Sequence, residues 1–192
     1  GRGIREAMYH QLRLGITSAT DPLLTPAHVR VYRQLEANGD LPVRVNGLPI
    51  RRPDGMEKIT YPLPEKYVSD TLRIDCVKFF ADGGLSGATA AISIPYKETG
   101  NQGVLRFEDE ELLELAWEAH DAGFRIATHA IGDVALEQVI SVYEELHRRK
   151  PGLRHRIEHV ALPAPGHLQR MQAIGTMAVP QSVFLYALGA NY

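Results

Sequence analysis

The chain has 192 residues, 44% of them hydrophobic, and a formal net charge of −2. That is ample for a domain with a substantial core, but short of the roughly 250 residues of a complete eight-unit barrel. Scattered Lys and Arg give no footprint for nucleic acid, and no window holds the roughly 18 consecutive apolar residues of a membrane span.

The start, Gly1 to Glu6, lacks the apolar stretch of a signal peptide and reads as a helix entered part-way, over Ile4 to Leu14. A short strand follows over Ile16 to Thr20. Thr25 is the expected cap of a helix over Pro26 to Ala37, with proline at its first position. Asn38-Gly39 closes that helix, and Leu41 to Leu48 is a strand rich in Val and Leu. Residues Pro49 to Tyr61 read as loop and Pro64 to Ser69 as a short helix. Arg73 to Phe80 is a strand containing the single cysteine, Cys76, which suits a reducing cytoplasm. The irregular stretch from Gly83 to Arg106 is long enough to suggest a functional loop. Glu108 to Ala122 is an amphipathic helix ended by Gly123, with Trp117 read as helix core. Phe124 to His129 is a strand, and Val134 to Arg149 a helix. The cations His147 to Lys150 at its end are read as favouring the helix dipole. His155 to Val160, the helix Pro165 to Ile174, the strand Gly175 to Val179 and a helical segment from Phe184 complete the order. Strict alternation argues for a parallel sheet covered by helices, with no Gly-x-Gly-x-x-Gly turn to suggest a nucleotide fold.

A parallel barrel does its chemistry at the carboxyl ends of its strands. Three such ends carry Lys78, His129 and His159. Counting by twos along each strand groups Ile74, Cys76 and Lys78; Arg125, Ala127 and His129; and His155, Ile157 and His159 on an inner face. Arg156 and Glu158 then face outward as an ion pair. Neighbouring parallel strands lie about 4.8 Å apart, so two histidines at equivalent ends could share a metal. A lysine whose pKa is depressed by burial beside cations can react with carbon dioxide, giving a carbamate that bridges two metals. Each histidine alone is equally readable as a hydrogen-bonding residue, and Lys78 as a lysine snorkelling to water. Asp133, at a helix start, reads as a cap or a substrate contact, and Asp82 as a turn residue. His10, His28, His120, His147 and His167 read as surface residues on helices.

Together Val77-Lys78-Phe79-Phe80-Ala81-Asp82-Gly83-Gly84-Leu85, Thr128-His129-Ala130-Ile131-Gly132-Asp133 and His155-Arg156-Ile157-Glu158-His159 resemble amidohydrolase family 3. This is part of the metal-dependent amidohydrolase superfamily and includes N-substituted formamide deformylase. The resemblance implies an α/β fold, a partial (β/α)8 TIM barrel over about strands two to seven, with 1–192 forming one incomplete domain. It implies Lys78 as a bridging lysine open to carboxylation, and His129 and His159 as metal ligands. By the same route Asp133 joins Lys78 among the catalytic residues, with Arg156 and Asp82 toward the substrate. The family's His-x-His pair and its catalytic Asp have no counterpart here, Gly84 stands where Ser is common, and Ser182 where Pro is common. The expectation is therefore a fragment of a cytoplasmic hydrolase that uses one or two divalent ions, probable identity zinc, on amide-type C–N bonds of a small molecule. A non-catalytic truncated barrel, binding a ligand or associating with copies of itself, is the rival.

Overall fold

The computed structural model describes residues 1–53 and 59–188. The part of the expected loop at 54–58 lies outside them. The chain divides into two compact units, 1–79 and 80–192.

In the first unit, α1 (Arg2–Arg13) precedes β1 (Ser18–Leu24), α2 (Pro26–Ala37) and β2 (Arg44–Pro49). The strands β3 (Tyr67–Val68), β4 (Leu72–Ile74) and β5 (Cys76–Phe80) follow, the last running into the second unit. The sheet order is β1-β2-β4-β3, with β1, β2 and β4 parallel and β3 antiparallel to β4. Met8, Leu24, Tyr32, Leu35, Val45, Leu72 and Ile74 form its buried core. Gly47 lies tight against this core: a Cβ would lie 2.5 Å from Leu24 Cδ1 and 2.7 Å from Ile74 Cδ1, so the ends of both side chains would have to shift. The start of α2 is a reciprocal cap. The His28 amide donates to the Thr25 hydroxyl at 3.3 Å, and the Thr25 amide to His28 Nδ1 at 3.4 Å.

Two expectations fail in this unit. The short helix over Pro64 to Ser69 is instead β3, paired through Tyr67 to Ile74 and Val68 to Arg73. Tyr and Val favour a strand, and the Ser69 hydroxyl closes a tight turn by accepting from the amides of Thr71 and Leu72. The single strand Arg73 to Phe80 is broken at Asp75, whose carboxylate is drawn to Arg73 at 2.7 Å.

The second unit holds α3 (Asp109–Asp121), β6 (Arg125–Ala130), α4 (Asp133–Arg149), β7 (Arg156–His159), α5 (His167–Ala173), β8 (Met177–Val179) and α6 (Ser182–Leu188). Strands β6, β7 and β8 are parallel neighbours in that order. Helices α3 and α4 pack on each other and on β6, burying Ala116, Ala119, Leu136, Val139, Ile140 and Leu146. The basic run at the end of α4 is structural: Arg148 and Arg149 bind Glu145, and Lys150 binds Asp121 at 2.9 Å. Among the described residues no helix is long and apolar enough to cross a membrane. Cys76 is buried and stands outside any disulfide.

Candidate functional site

His129 is the penultimate residue of β6 and His159 ends β7, and their rings meet edge to face with centroids 4.6 Å apart. Simple alternation does not produce this meeting. The register sets Ala127 opposite Arg156 and His129 opposite Glu158, and residues in register point to the same face of a parallel sheet. Arg156 and Glu158 therefore share the face of His129, which corrects the expectation that they point outward. Their ion pair is as expected, with Arg156 Nη2 on Glu158 Oε2 at 3.0 Å. Ile157 and His155, expected inward, belong to the helix side with Thr128, whose hydroxyl lies 2.8 Å from that of Tyr143 on α4. His159 reaches His129 because its backbone is left-handed, with φ of 76° followed by 50° at Val160. Rotating φ from the extended to the positive region carries Cβ across the peptide plane. Such backbone is uncommon for residues other than glycine and clusters at functional sites.

Hydrogen bonds decide which nitrogen each ring offers. His129 is buried, with Nε2 2.9 Å from the Gly83 carbonyl and 3.2 Å from Asp82 Oδ1. A carbonyl and a carboxylate only accept, so Nε2 carries hydrogen and Nδ1 keeps its lone pair. In His159 the polarity is reversed: Nδ1 donates to the Gln181 side-chain oxygen, leaving Nε2 with the lone pair. The His159 ring also stacks on Phe184, with centroids 6.4 Å apart. Gln181 was not singled out from sequence; its only mark there was the family comparison at the following position, Ser182.

Two imidazoles at neighbouring strands are donors that fit a borderline divalent ion such as zinc, supplying two of its usual four ligands. Among the described residues no group of three or more His, Cys, Asp and Glu could hold a metal. Lys78 is buried in the first unit, next to an isolated parallel bridge to Ile50, and its carbonyl accepts from the Arg51 amide at 3.0 Å.

Asp82 does more than set a turn. It is fully buried, and its carboxylate accepts from the amides of Ala91 at 3.0 Å, Ile131 at 3.1 Å and Gly132 at 2.8 Å. Asp133 occupies the first turn of α4, where Gly132 stands at the cap position. Its carboxylate accepts from the Ser93 amide at 2.9 Å and from the Ser93 hydroxyl. Burial works to raise its pKa, but these bonds and the amides of its own helix start outweigh that and hold it below the usual carboxylate range. Asp82 and Asp133 thus fasten the long loop to the turn after β6. The contact is too close for any side chain at Gly132, where a Cβ would lie 1.8 Å from the Ala91 carbonyl. Gly84 has open space around it, so the serine common at this position would fit.

Two histidines expected on the surface are buried. His120 Nδ1 lies 2.9 Å from His155 Nε2, and its Nε2 lies 2.8 Å from the Lys150 carbonyl. Trp117 stacks on His120, with centroids 5.7 Å apart, and under Arg149. His167 accepts from the Ala164 amide through Nδ1 and binds Glu137 through Nε2 at 3.0 Å. Both are structural ties between elements distant in sequence, invisible to a reading of helix faces.

Comparison with known structures identifies the class. An uncharacterized metal-dependent hydrolase from Pyrococcus furiosus matches with a TM-score of 0.82 and 26% identity, over 96% of this chain and 38% of that one. The fold is accordingly α/β, part of a (β/α)8 barrel of the metal-dependent hydrolase type. The chain belongs to the amidohydrolase family, whose model matches residues 1–191. YtcJ of Bacillus subtilis (strain 168), which carries the name amidohydrolase, is 33% identical over 68% of this chain and 24% of its own length. The N-substituted formamide deformylase of Arthrobacter pascens is 27% identical over 90% of this chain and 33% of its own. The chain thus spans between a quarter and a third of the length of these two relatives.

Proposed function

We propose that residues 1–192 supply the central part of one barrel domain, about strands two to seven, in a longer metal-dependent hydrolase. Its substrate is a small molecule with an amide-type C–N bond, of the kind named in the formamide deformylase relative. The His-x-His pair and the catalytic Asp would come from outside these residues. The observation that carries this reading is the His129–His159 pair, two buried or half-buried rings whose centroids lie 4.6 Å apart on neighbouring parallel strands.

His129 through Nδ1 and His159 through Nε2 would hold a divalent ion, zinc by the chemistry of the donors, with Lys78 as the carboxylated bridge if two ions bind. The ion would supply Lewis acidity, polarising a carbonyl and making water nucleophilic near neutral pH. Arg156, braced by Glu158 on the His129 face, offers a fixed cationic edge toward the substrate side. Asp133 keeps the loop of residues 83–106 seated on the turn after β6, which shapes access to the reacting bond. A cytoplasmic setting is part of this proposal, consistent with the single buried cysteine, Cys76, standing outside any disulfide; self-association is part of it too.

The test is metal content and turnover of the intact protein. Purified protein should contain stoichiometric zinc and hydrolyse N-substituted formamides, and His129→Ala and His159→Ala should each lose both. A metal-free protein that neither takes up added zinc nor turns over amides would sink the reading in favour of a binding module.

A further inference from the structure

The chain has five phenylalanines. Phe79, Phe107 and Phe124 are buried, at 5% exposure or less. The two that keep accessible surface are Phe80 and Phe184, and these are the two that lie against the imidazole pair. Phe80 closes β5, whose other four residues are buried, and its ring tilts on His129 with centroids 5.1 Å apart. The Phe184 ring lies within 8° of parallel to that of His159, with 46% of the residue exposed. A large apolar group left at the surface is the informative exception to burial, and here both exceptions fall at one place.

The two phenyls are not equivalent. The Arg106 guanidinium stands over Phe80, 5.9 Å from its centroid, so a cation already uses that ring. Phe184 belongs to the segment that holds His159. The Gln181 side-chain oxygen is hydrogen-bonded to His159 Nδ1, and the Phe184 amide donates to the Gln181 carbonyl at 3.0 Å. Residues three apart at a helix start share a face, which sets both side chains toward His159 and leaves the outer part of the phenyl open.

We propose that Phe184 is a specificity-determining residue: its open ring receives a flat, apolar substituent of the substrate, so that the substrate class is an aryl-substituted amide rather than one with a charged or saturated group. This rests on the hydrolase reading above and names the substituent that its substrate carries. Aromatic rings pair offset or edge to face with centroids about 4.5–7 Å apart, and the contacts from Phe80 through His129 and His159 to Phe184 already lie in that range. A substrate ring on Phe184 would extend the same series. In a formamide the carbonyl carbon bears only hydrogen, so the nitrogen substituent is the part that can reach such a wall.

The probes are N-phenylformamide and N-cyclohexylformamide, similar in size, of which only the first has a flat ring. Phe184→Leu keeps an apolar group against His159 but removes the phenyl, and Phe184→Tyr keeps the ring. Binding is read on the intact, metal-free protein by NMR titration, with labelled phenylalanine to detect contacts between probe and Phe184. Wild type should prefer the phenyl probe and show its ring protons against those of Phe184. F184L should weaken the phenyl probe about 2- to 12-fold and leave the cyclohexyl probe unchanged, while F184Y keeps the preference. A residue that only buttresses His159 would treat both probes alike. Wild type that binds neither probe, or both equally, would overturn the proposal, as would a bound phenyl that does not touch Phe184 or equal weakening of both probes in F184L. Should F184L fail to fold, the wild-type preference and the ring contacts still decide. Turnover by zinc-loaded protein then separates this inference from the reading beneath it. Phe184-dependent binding in a protein that neither takes up zinc nor hydrolyses either probe keeps the wall and removes the hydrolase. Hydrolysis of both probes with equal efficiency, in wild type and F184L alike, does the reverse.

Discussion

The two units bury different things. Residues 1–79 enclose an apolar cluster that includes Leu24, Tyr32, Leu35, Leu72 and Ile74, and bury the charged side chains of Arg51, Asp75 and Lys78. There the Tyr32 hydroxyl donates to Asp21 at 2.8 Å, and Glu36 accepts from Ser69 and from Thr71. Residues 80–192 also have an apolar core, but they bury Asp82, His120, Thr128, His129, Gln138, His155, Glu158 and His167 as well. Each of these has a hydrogen-bonding or ionic partner among the described residues. Buried polar networks cost more when broken than they contribute when whole. The second unit buries the larger share of this polarity, which must be set atom by atom, and the paired histidines lie there.

The apolar cores are where the two units should behave alike, and where the largest effects are expected. Ile74→Ala in the first unit and Ile140→Ala in the second should each cost about 2–5 kcal/mol, because both side chains are fully buried. Denaturant unfolding of the intact protein checks this. A loss well under 1 kcal/mol at either position would mean that its unit is not packed as described.

The response to acid should set the units apart. The Ile126 amide donates to His155 Nδ1 at 3.1 Å, so His155 carries its hydrogen on Nε2 and donates it to His120 Nδ1; His120 donates in turn to the Lys150 carbonyl. Both rings must be neutral for this chain to exist. Burial, with His120 and His147 nearby, pushes the His155 pKa down to about 3, and burial likewise lowers that of His120. Lys150, Asp121, Trp117, Tyr143 and Arg149 are the other polar or charged groups around the pair. An unfolded histidine titrates near about 6.5. As pH falls below that value the unfolded chain takes up protons that the folded pair refuses, and stability drops until the folded pKa near 3 is reached. The slope should approach about 1.4 kcal/mol per pH unit for each ring refused a proton. Hydrogen exchange corrected for intrinsic rate should show the Ile126 amide losing protection between pH 6.5 and 4, with the Val45 amide of the first unit holding its own. Parallel loss at both would erase the contrast.

Glycine contacts give a smaller version of the same contrast. At Gly47 an added Cβ meets the ends of two flexible side chains; at Gly132 it meets a backbone carbonyl. Both substitutions overpack, which costs typically about 1–3 kcal/mol, and Gly132→Ala should sit at the upper end because the Ala91 carbonyl cannot rotate away. Thermal unfolding of the two variants orders them, and a costlier Gly47→Ala would reverse the view of which unit is the less yielding.

What was legible in the sequence follows from where the information is local. The bounds of α2, Pro26–Ala37, match the reading because Thr25, Pro26, Asn38 and Gly39 are end signals within one turn of each end. Of the three expected strand ends, His159 does end β7 and His129 stands one residue before the end of β6, but β5 runs two residues past Lys78, because Phe79 and Phe80 continue the apolar run. The facing of the third run was not legible, because parity along a strand depends on its register with β6, and a single left-handed residue at His159 reverses it. Nor was the burial of His120 and His167, since their partners lie 35 and 30 positions away, at His155 and Glu137. Asp82 was visible as a turn residue, but its three amide donors arrive from 91, 131 and 132, and only the folded chain joins them.

The smallest effect sharpens the comparison from the side of the first unit. Thr25→Ala removes the hydroxyl that accepts from the His28 amide, while His28 Nδ1 can still accept from the residue-25 amide. One of the two bonds of the cap survives, so the cost should be about 1 kcal/mol, the middle of the range for losing such a cap. The loss should be local: faster exchange of amides in the first turn of α2, with the amides of β6 and β7 untouched. Because Leu24 ends β1 just before the cap and belongs to the apolar cluster, a wider response would mean that the cap also fixes where β1 stops. Exchange that spreads to Val45 and Leu72 would show that outcome, and the first unit would then depend on a polar contact as the second does.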